Sequence, residues 1–171
     1  LMVLHSDAPA CLVLDADTML VRRRTWLGAD GVQLLVPSLE YHRTYALHAA
    51  RVWPHTELAR GVSFVTHHQL MQRDIVIEMF GADGSGLGDW LAAADSSATS
   101  AISEFHCYGS HLVASHPERV RLGRFHNVAL PRSEFDGRVA HGSFGAGDGT
   151  TRRGPCSISF HHYLTDDAPP S

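Results

Sequence analysis

The sequence predicts an α/β fold. Short apolar runs of strand type alternate with stretches of helical periodicity, no internal repeat is visible, and the composition is that of an ordinary globular chain. Of 171 residues, 44% are hydrophobic and 19% charged, which is enough apolar material for one domain with a core. Residues 1–4 (LMVL) and 11–14 (CLVL) read as strands separated by the turn-forming HSDAP. Residues 32–36 (VQLLV) read as a buried strand, and 45–52 (YALHAARV) as a short helix stopped ahead of Pro54. Next come a strand over 62–66 and an amphipathic helix over 69–80, in which Leu70, Val76, Ile77 and Phe80 recur at near-helical spacing. Two further helices, 87–94 and 104–115, flank a small polar loop at 95–100. Residues 119–122 fit an edge strand. A glycine-rich stretch at 141–154 (HGSFGAGDGTTRRG) precedes a last strand at 157–160. The expected organisation is one domain over residues 1–140 followed by a loop, strand and tail over 141–171. Its sheet is expected to be mixed, mainly parallel and flanked by helices.

Charge and cysteine content narrow the range of partners. The net charge of -4, from 14 basic against 18 acidic residues, offers no general attraction to nucleic acid or an anionic membrane, so no nucleic-acid partner is expected. All the basic residues are arginine, whose planar fork suits phosphates. Cys11, Cys107 and Cys156 are far apart and odd in number, which indicates neither a disulfide framework nor a Cys-x-x-Cys zinc site and suits a reducing compartment. No apolar run approaches the ~20 residues that span a bilayer. The expected location is cytoplasmic, or peripheral at the inner face of the membrane.

The first chemical feature is Leu12-Val13-Leu14-Asp15-Ala16-Asp17, an apolar strand running into two carboxylates one residue apart. In open α/β sheets ligands bind beyond the carboxyl ends of the strands. Two carboxylates at i and i+2 point the same way if the backbone stays extended, and they offer hard oxygen ligands to Mn²⁺ or Mg²⁺. Such an ion supplies Lewis-acid neutralisation of a diphosphate leaving group. The alternative is a solvated turn or a cap before Thr18. His67 and His68 follow the expected 62–66 strand, so they fall at the same end of a sheet as Asp17, with one facing a sugar or phosphate; a structural role is the alternative. Ser103 is placed to cap the helix that opens at Glu104, whose charge suits a helix N-terminus. A carboxylate there can equally serve as the general base towards an acceptor hydroxyl. Tyr108 and His111 share its helix face and either line an acceptor pocket or pack. Glu40, Tyr41 and His42 form an acceptor-side loop or a helix start.

Other candidates are weaker. Thirteen histidines invite a zinc reading, but the spacing, His161-His162 included, lacks the partners of a zinc site. The run Arg22-Arg23-Arg24 reads as a solvated face. GADGSGLG at 81–88 lacks the Lys-Ser/Thr ending of a phosphate loop.

Taken in order, several segments resemble a bacterial family of capsular-polysaccharide glycosyltransferases. They are LVLDADTMLVRR at 12–23, Glu40-Tyr41-His42 with Tyr45, Ser63 to Met71 with its Ser-x-x-x-His-His, Ser103-Glu104-Phe105-His106-Cys107-Tyr108-Gly109, and Ser115-His116-Pro117-Glu118-Arg119-Val120. The resemblance covers roughly residues 10–122. Departures from the family pattern are Phe105 for Tyr, Ser110 for Asn, Ser115 for His, and Gln69 and Gln72 inside the His-His element.

The resemblance implies a GT-A-like nucleotide-diphospho-sugar transferase fold and a Mn²⁺- or Mg²⁺-dependent transfer from a UDP- or GDP-linked donor to a saccharide hydroxyl. It assigns Asp15 and Asp17 to the metal and donor diphosphate, with His116 either completing the metal sphere or serving as the helix end before Pro117. His67 and His68 fall to the donor, Glu104 to the base, and Glu40, Tyr41, His42, Tyr108 and His111 to the acceptor. A GT-A domain places nucleotide-binding βαβ structure before its Asp-x-Asp strand, whereas fourteen residues precede Asp15 here, so a partial domain is expected. The alternatives are a metal-dependent phosphoesterase, with Asp15, Asp17 and His116 activating water, and a non-catalytic carbohydrate- or metal-binding module.

Overall fold

A computed structural model describes residues 2–59, 61–141 and 155–161. The chain divides into two compact units. The first holds the described residues up to Val13 together with Trp26–Gly123, and the second holds Leu14–Thr25 and the described residues from Arg124 onward.

The first unit is built around helices. Strand β1 (Ala10–Leu14) pairs with β4 (His68–Gln72), and β3 (Gln33–Leu35) runs parallel to β5 (Val120–Leu122) with Gln33 opposite Val120. Helices α1 (Arg43–Val52), α2 (Arg73–Phe80), α3 (Leu87–Ala92) and α4 (Glu104–Ser115) complete it, with 3₁₀ turns at Pro54–Ala59 and Pro117–Arg119. Helix α4 is central. Phe105 through Leu112 are all buried, so every face of the helix is covered. Phe105, Tyr108 and Leu112 pack with Ala49 of α1, with Ile75, Val76 and Met79 of α2, and with Val3 and Leu4. Gly109 is required by contact: a Cβ there would lie 2.5 Å from Cγ of the buried Phe64.

A helix buried all round must place its polar side chains on partners. Tyr108 does so through a network. Its hydroxyl donates to Gln33 Oε1 at 2.9 Å and accepts the backbone N–H of Gln72 at 2.8 Å. Gln33 donates to the Leu70 carbonyl at 2.6 Å, Gln72 donates to Gln33 Oε1 at 3.1 Å, and Arg119 donates to Gln72 Oε1. Arg119 also forks onto both oxygens of Asp74 at 2.7 and 3.2 Å.

In the second unit β7 (Ser157–His161) is the middle strand, antiparallel to β2 (Thr18–Leu20) and parallel to β6 (Asn127–Pro131). Ile158 and Phe160 alternate with Ser157, Ser159 and His161. The apolar set joins Leu130, Met19, Val21, Val128 and Phe135 of helix α5 (Glu134–His141) in a small core. The polar set is satisfied across the strands, Ser159 Oγ lying 2.8 Å from Thr18 Oγ1 and Ser157 donating to Asn127 at 2.6 Å. Pro131 is tolerated because β6 is an edge strand.

The α/β class holds, with a different sheet plan. In place of one mainly parallel sheet, the described residues form two two-stranded pairs and one mixed three-stranded sheet. Residues 2–5 are turn, and Val3 and Leu4 are apolar because they pack on the helical core. The expected 62–66 strand reduces to a single bridge, Ser38 to Ser63. The helix expected from residue 69 begins at Arg73, because HQLMQ is wholly buried as a strand paired with β1, and it ends at Gly81, whose φ of 79° favours glycine. Strands β2 and β6 and helix α5 were not anticipated. Most of the glycine-rich 141–154 stretch lies outside the described residues.

Three substitutions test this packing by urea denaturation. Gly109→Ala is expected to destabilise the chain by about 1–3 kcal/mol through overlap with Phe64. Tyr108→Phe is expected to cost about 1–3 kcal/mol, because the buried Gln72 N–H loses its acceptor. Gly137→Ala, where a Cβ meets open space within α5, is expected to stabilise by roughly 0.5–1 kcal/mol.

Candidate functional site

Asp15 and Asp17 lie in the chain between β1 and β2, where the backbone turns. The Thr18 N–H donates to the Asp15 carbonyl at 3.0 Å, closing a tight turn over Asp15–Thr18, so the extended geometry expected for the pair is replaced by a turn. Strand β7 then fixes the second carboxylate. The Phe160 N–H donates to the Asp17 carbonyl at 2.9 Å, and His161 Nδ1 lies 3.1 Å from Asp17 Oδ2. Thr18 donates to Asp17 Oδ1 at 3.3 Å. The His161 ring is buried while the Asp17 side chain keeps 37% of its surface in solvent, so the imidazole positions a carboxylate that still reaches outward. His161 had no signal in sequence, because it meets Asp17 only through strand pairing across 144 residues. His162 lies outside the described residues.

The remaining candidates belong to the first unit. Glu104 is exposed in the first turn of α4, and Ser103 caps that helix by accepting the His106 N–H at 3.2 Å. His67 is half-buried. His68 is buried in β4 against Trp26, with ring centroids 4.8 Å apart, which fits the structural alternative. Tyr108 and His111, expected along an acceptor pocket, are both buried because α4 is enclosed on all faces. Burial pushes the Tyr108 hydroxyl well above its ordinary range, so it remains a neutral donor.

A cavity of about 310 Å³ opens in this unit, lined by Tyr41, Arg43, Leu47, Glu57 and His106 among others. Tyr41 and His42 precede α1, and His42 is held by Glu40 Oε1 at 2.8 Å. His106 is buried, as are Ala49 and Thr56 of the lining. Desolvation lowers its pKa to about 4, so it is a neutral imidazole at pH 7. Its Nε2 lies 3.4 Å from Ser110 Oγ, while its buried Nδ1 has no hydrogen-bond partner among the described residues. A cavity lined by an aromatic, a guanidinium, a carboxylate and an imidazole has the mixed lining of a polar small-molecule site.

A second cluster gathers residues from α2 and α4. His111 Nε2 lies 3.1 Å from Glu78 Oε1, and His116 Nε2 lies 2.8 Å from Glu78 Oε2. His55 Nε2 meets His111 Nδ1 at 3.0 Å. Partial burial raises the Glu78 pKa, but the hydrogen bonds and charges of His116 and then His111 outweigh it and leave the carboxyl below its usual value. Burial dominates at His111 and lowers its pKa despite Glu78. Glu78 and His55 carried no motif, and only the fold brings them to these histidines. No protein-family model matches the chain, and no curated protein matches it.

Burial of neutral His106 makes stability pH-dependent. Its folded pKa of about 4 lies below the ordinary 6.5, so the unfolded chain binds the proton first as pH falls. This contribution is complete above pH ~6.5 and is lost progressively towards pH ~4. The urea midpoint is expected to drop between pH 7 and 5, and the slope of that drop to flatten in His106→Gln. An unchanged slope in the variant would assign the pH dependence to other groups.

Proposed function

We propose that this chain is part of a metal-dependent glycosyltransferase that moves a sugar from a nucleoside-diphosphate donor to a saccharide hydroxyl. The observation that carries the reading is the Asp15-Ala16-Asp17 turn after β1. It offers two hard-oxygen ligands, one of them oriented by His161 and both partly open to solvent. This donor set fits Mn²⁺ or Mg²⁺, and such an ion, when bound, neutralises charge on the diphosphate leaving group. The ordered resemblance over residues 10–122 supplies the reaction class. Within it, exposed Glu104 takes the role of base towards the acceptor hydroxyl.

The 310 Å³ cavity is the proposed saccharide-binding cavity. Sugars present an apolar face and several hydroxyls, which the Tyr41 ring, Arg43, Glu57 and the His106 ring are suited to receive. Tyr41 is the residue on which the acceptor-side expectation and the cavity coincide.

The reading is tested by titrating UDP and GDP into the protein with and without Mn²⁺ or Mg²⁺, and repeating the titration with the Asp15→Asn, Asp17→Asn double variant. Nucleotide binding is expected to require the metal and to weaken by tenfold or more in the variant. Nucleotide binding indifferent to both would refute the transferase reading; saccharide binding without nucleotide would replace it with a carbohydrate-binding module. Tyr41→Ala is expected to weaken saccharide binding and leave nucleotide binding unchanged.

A further inference from the structure

The cluster on α2 and α4 has a donor set of another kind. Two imidazole Nε2 atoms converge on one carboxylate, and the ligand atoms of Glu78, His111 and His116 all lie within 4.8 Å of one another. We propose that Glu78, His111 and His116 form a site for a divalent transition-metal ion, zinc in the first instance, separate from the Asp15–Asp17 turn and independent of the transferase reading.

Convergence here is not what a helix gives by default. Residues five apart on a continuous α-helix lie roughly 140° apart around its axis. The chain leaves helical geometry at His116, with φ of -135° and ψ of 54°, and this swings its ring back to the carboxylate that His111 meets. That departure also explains why the spacing of the histidines revealed no zinc site.

The parts differ in rigidity in the way a preformed site requires. His111 is buried in the central helix, with its side chain 4% exposed, and His116 caps that helix. Glu78 is 46% exposed and free to adjust. Zinc holds nitrogen and oxygen ligands at about 2.0–2.2 Å in tetrahedral geometry, which sets neighbouring ligand atoms roughly 3.3–3.6 Å apart. From 2.8 and 3.1 Å, the Glu78 oxygens would withdraw by roughly 0.2–0.8 Å, and the His111 and His116 ligand atoms already lie within 4.8 Å of each other.

His55 supplies the supporting contact. Metal-binding histidines ordinarily donate their second ring N–H to a fixed acceptor, which selects the tautomer. His111 Nδ1 faces His55 Nε2 at 3.0 Å, so a proton on Nδ1 frees the Nε2 lone pair for the ion. Imidazole ligands favour zinc, cobalt, nickel or copper over magnesium or calcium, whereas the oxygen pair of the Asp15–Asp17 turn has the opposite preference. Two His and one Glu leave a fourth tetrahedral position open to water or a ligand.

Protein dialysed against a chelator would be titrated with Zn²⁺ by calorimetry and with Co²⁺ by visible absorption, circular dichroism confirming the fold of each variant. The wild-type chain is expected to bind about one equivalent at micromolar affinity or tighter, and Co²⁺ to give the intense bands of a tetrahedral site. Glu78→Gln, at an exposed position, and His116→Ala are each expected to weaken binding by about 100-fold, and His55→Ala by about 10-fold. The Asp15→Asn, Asp17→Asn variant should titrate as wild type. Absence of stoichiometric uptake by the wild-type chain overturns the proposal, as does uptake unchanged in both Glu78→Gln and His116→Ala or abolished only by the aspartate variant.

Discussion

The first unit depends on the hydrogen bond from Tyr108 to Gln33 more than on any other polar contact. Gln33 is fully buried in β3, and Tyr108 is buried in the middle of α4. A glutamine in such a place is costly unless each of its polar atoms is matched, and a partly satisfied network is worse than an apolar core. Here the amide nitrogen reaches the Leu70 carbonyl, and the amide oxygen receives both Tyr108 and Gln72. The Tyr108 hydroxyl, donor and acceptor at once, takes up the Gln72 N–H where β4 passes into α2. Strand, strand, helix start and central helix are thereby fixed in one register, which apolar contacts, being non-directional, could not specify.

The same network reaches the Glu78–His111–His116 cluster. Through Gln72 it meets Arg119, whose fork on Asp74 ties the 3₁₀ turn after α4 to the first turn of α2. The Arg119 hydrogen bond is the leading reason that Asp74 titrates below its ordinary range. His116 lies between α4 and that turn, and Glu78 lies one helical turn beyond Asp74, so the contact that anchors Arg119 also sets the distance between His116 and Glu78. The cavity has a similar debt to packing. His106 follows Ser103 in the capped first turn, and Gly109 lets Phe64 close against the helix, with the Phe64 and His106 rings 6.4 Å apart.

The fold was legible in sequence wherever local chemistry decided it. Helix α4 begins at the residue its Ser103 cap and Glu104 predict, and α1 stops where Pro54 requires. Strands β3 and β7 were readable as apolar runs bounded by turn residues. What was not legible depended on partners distant in sequence. HQLMQ carries the periodicity of a helix and becomes a strand because β1 pairs with it. Thr18–Leu20 and Asn127–Pro131 are too short and mixed to announce themselves and exist because β7 lies between them. The site divides along the same line. Asp15, Asp17, Tyr41, His111 and His116 could be singled out as residue types in motifs, whereas His161, Glu78 and His55 join them only through tertiary structure. Tyr108 and His68 are buried, which fits the packing alternatives read beside their ligand roles.

Burial of motif residues has a physical consequence for reading motifs of this kind. A helix buried on every face that carries His106, Cys107, Tyr108, Ser110 and His111 must neutralise each polar group locally, and the residues that do so become as constrained as any that touch a ligand. Cys107 illustrates the structural end of the range: burial pushes its thiol up to about 12, and it lies 3.7 Å from His48 Nδ1, inert as a nucleophile. His106 stands at the other end, since it lines a cavity and its buried Nδ1 finds no partner among the described residues. Motif position alone does not separate these two residues, although they are adjacent. The separation comes from asking of each buried polar residue where its hydrogen bonds go and what it borders: one satisfied by protein partners supports the fold, and one that also lines a cavity is where a ligand has something to gain.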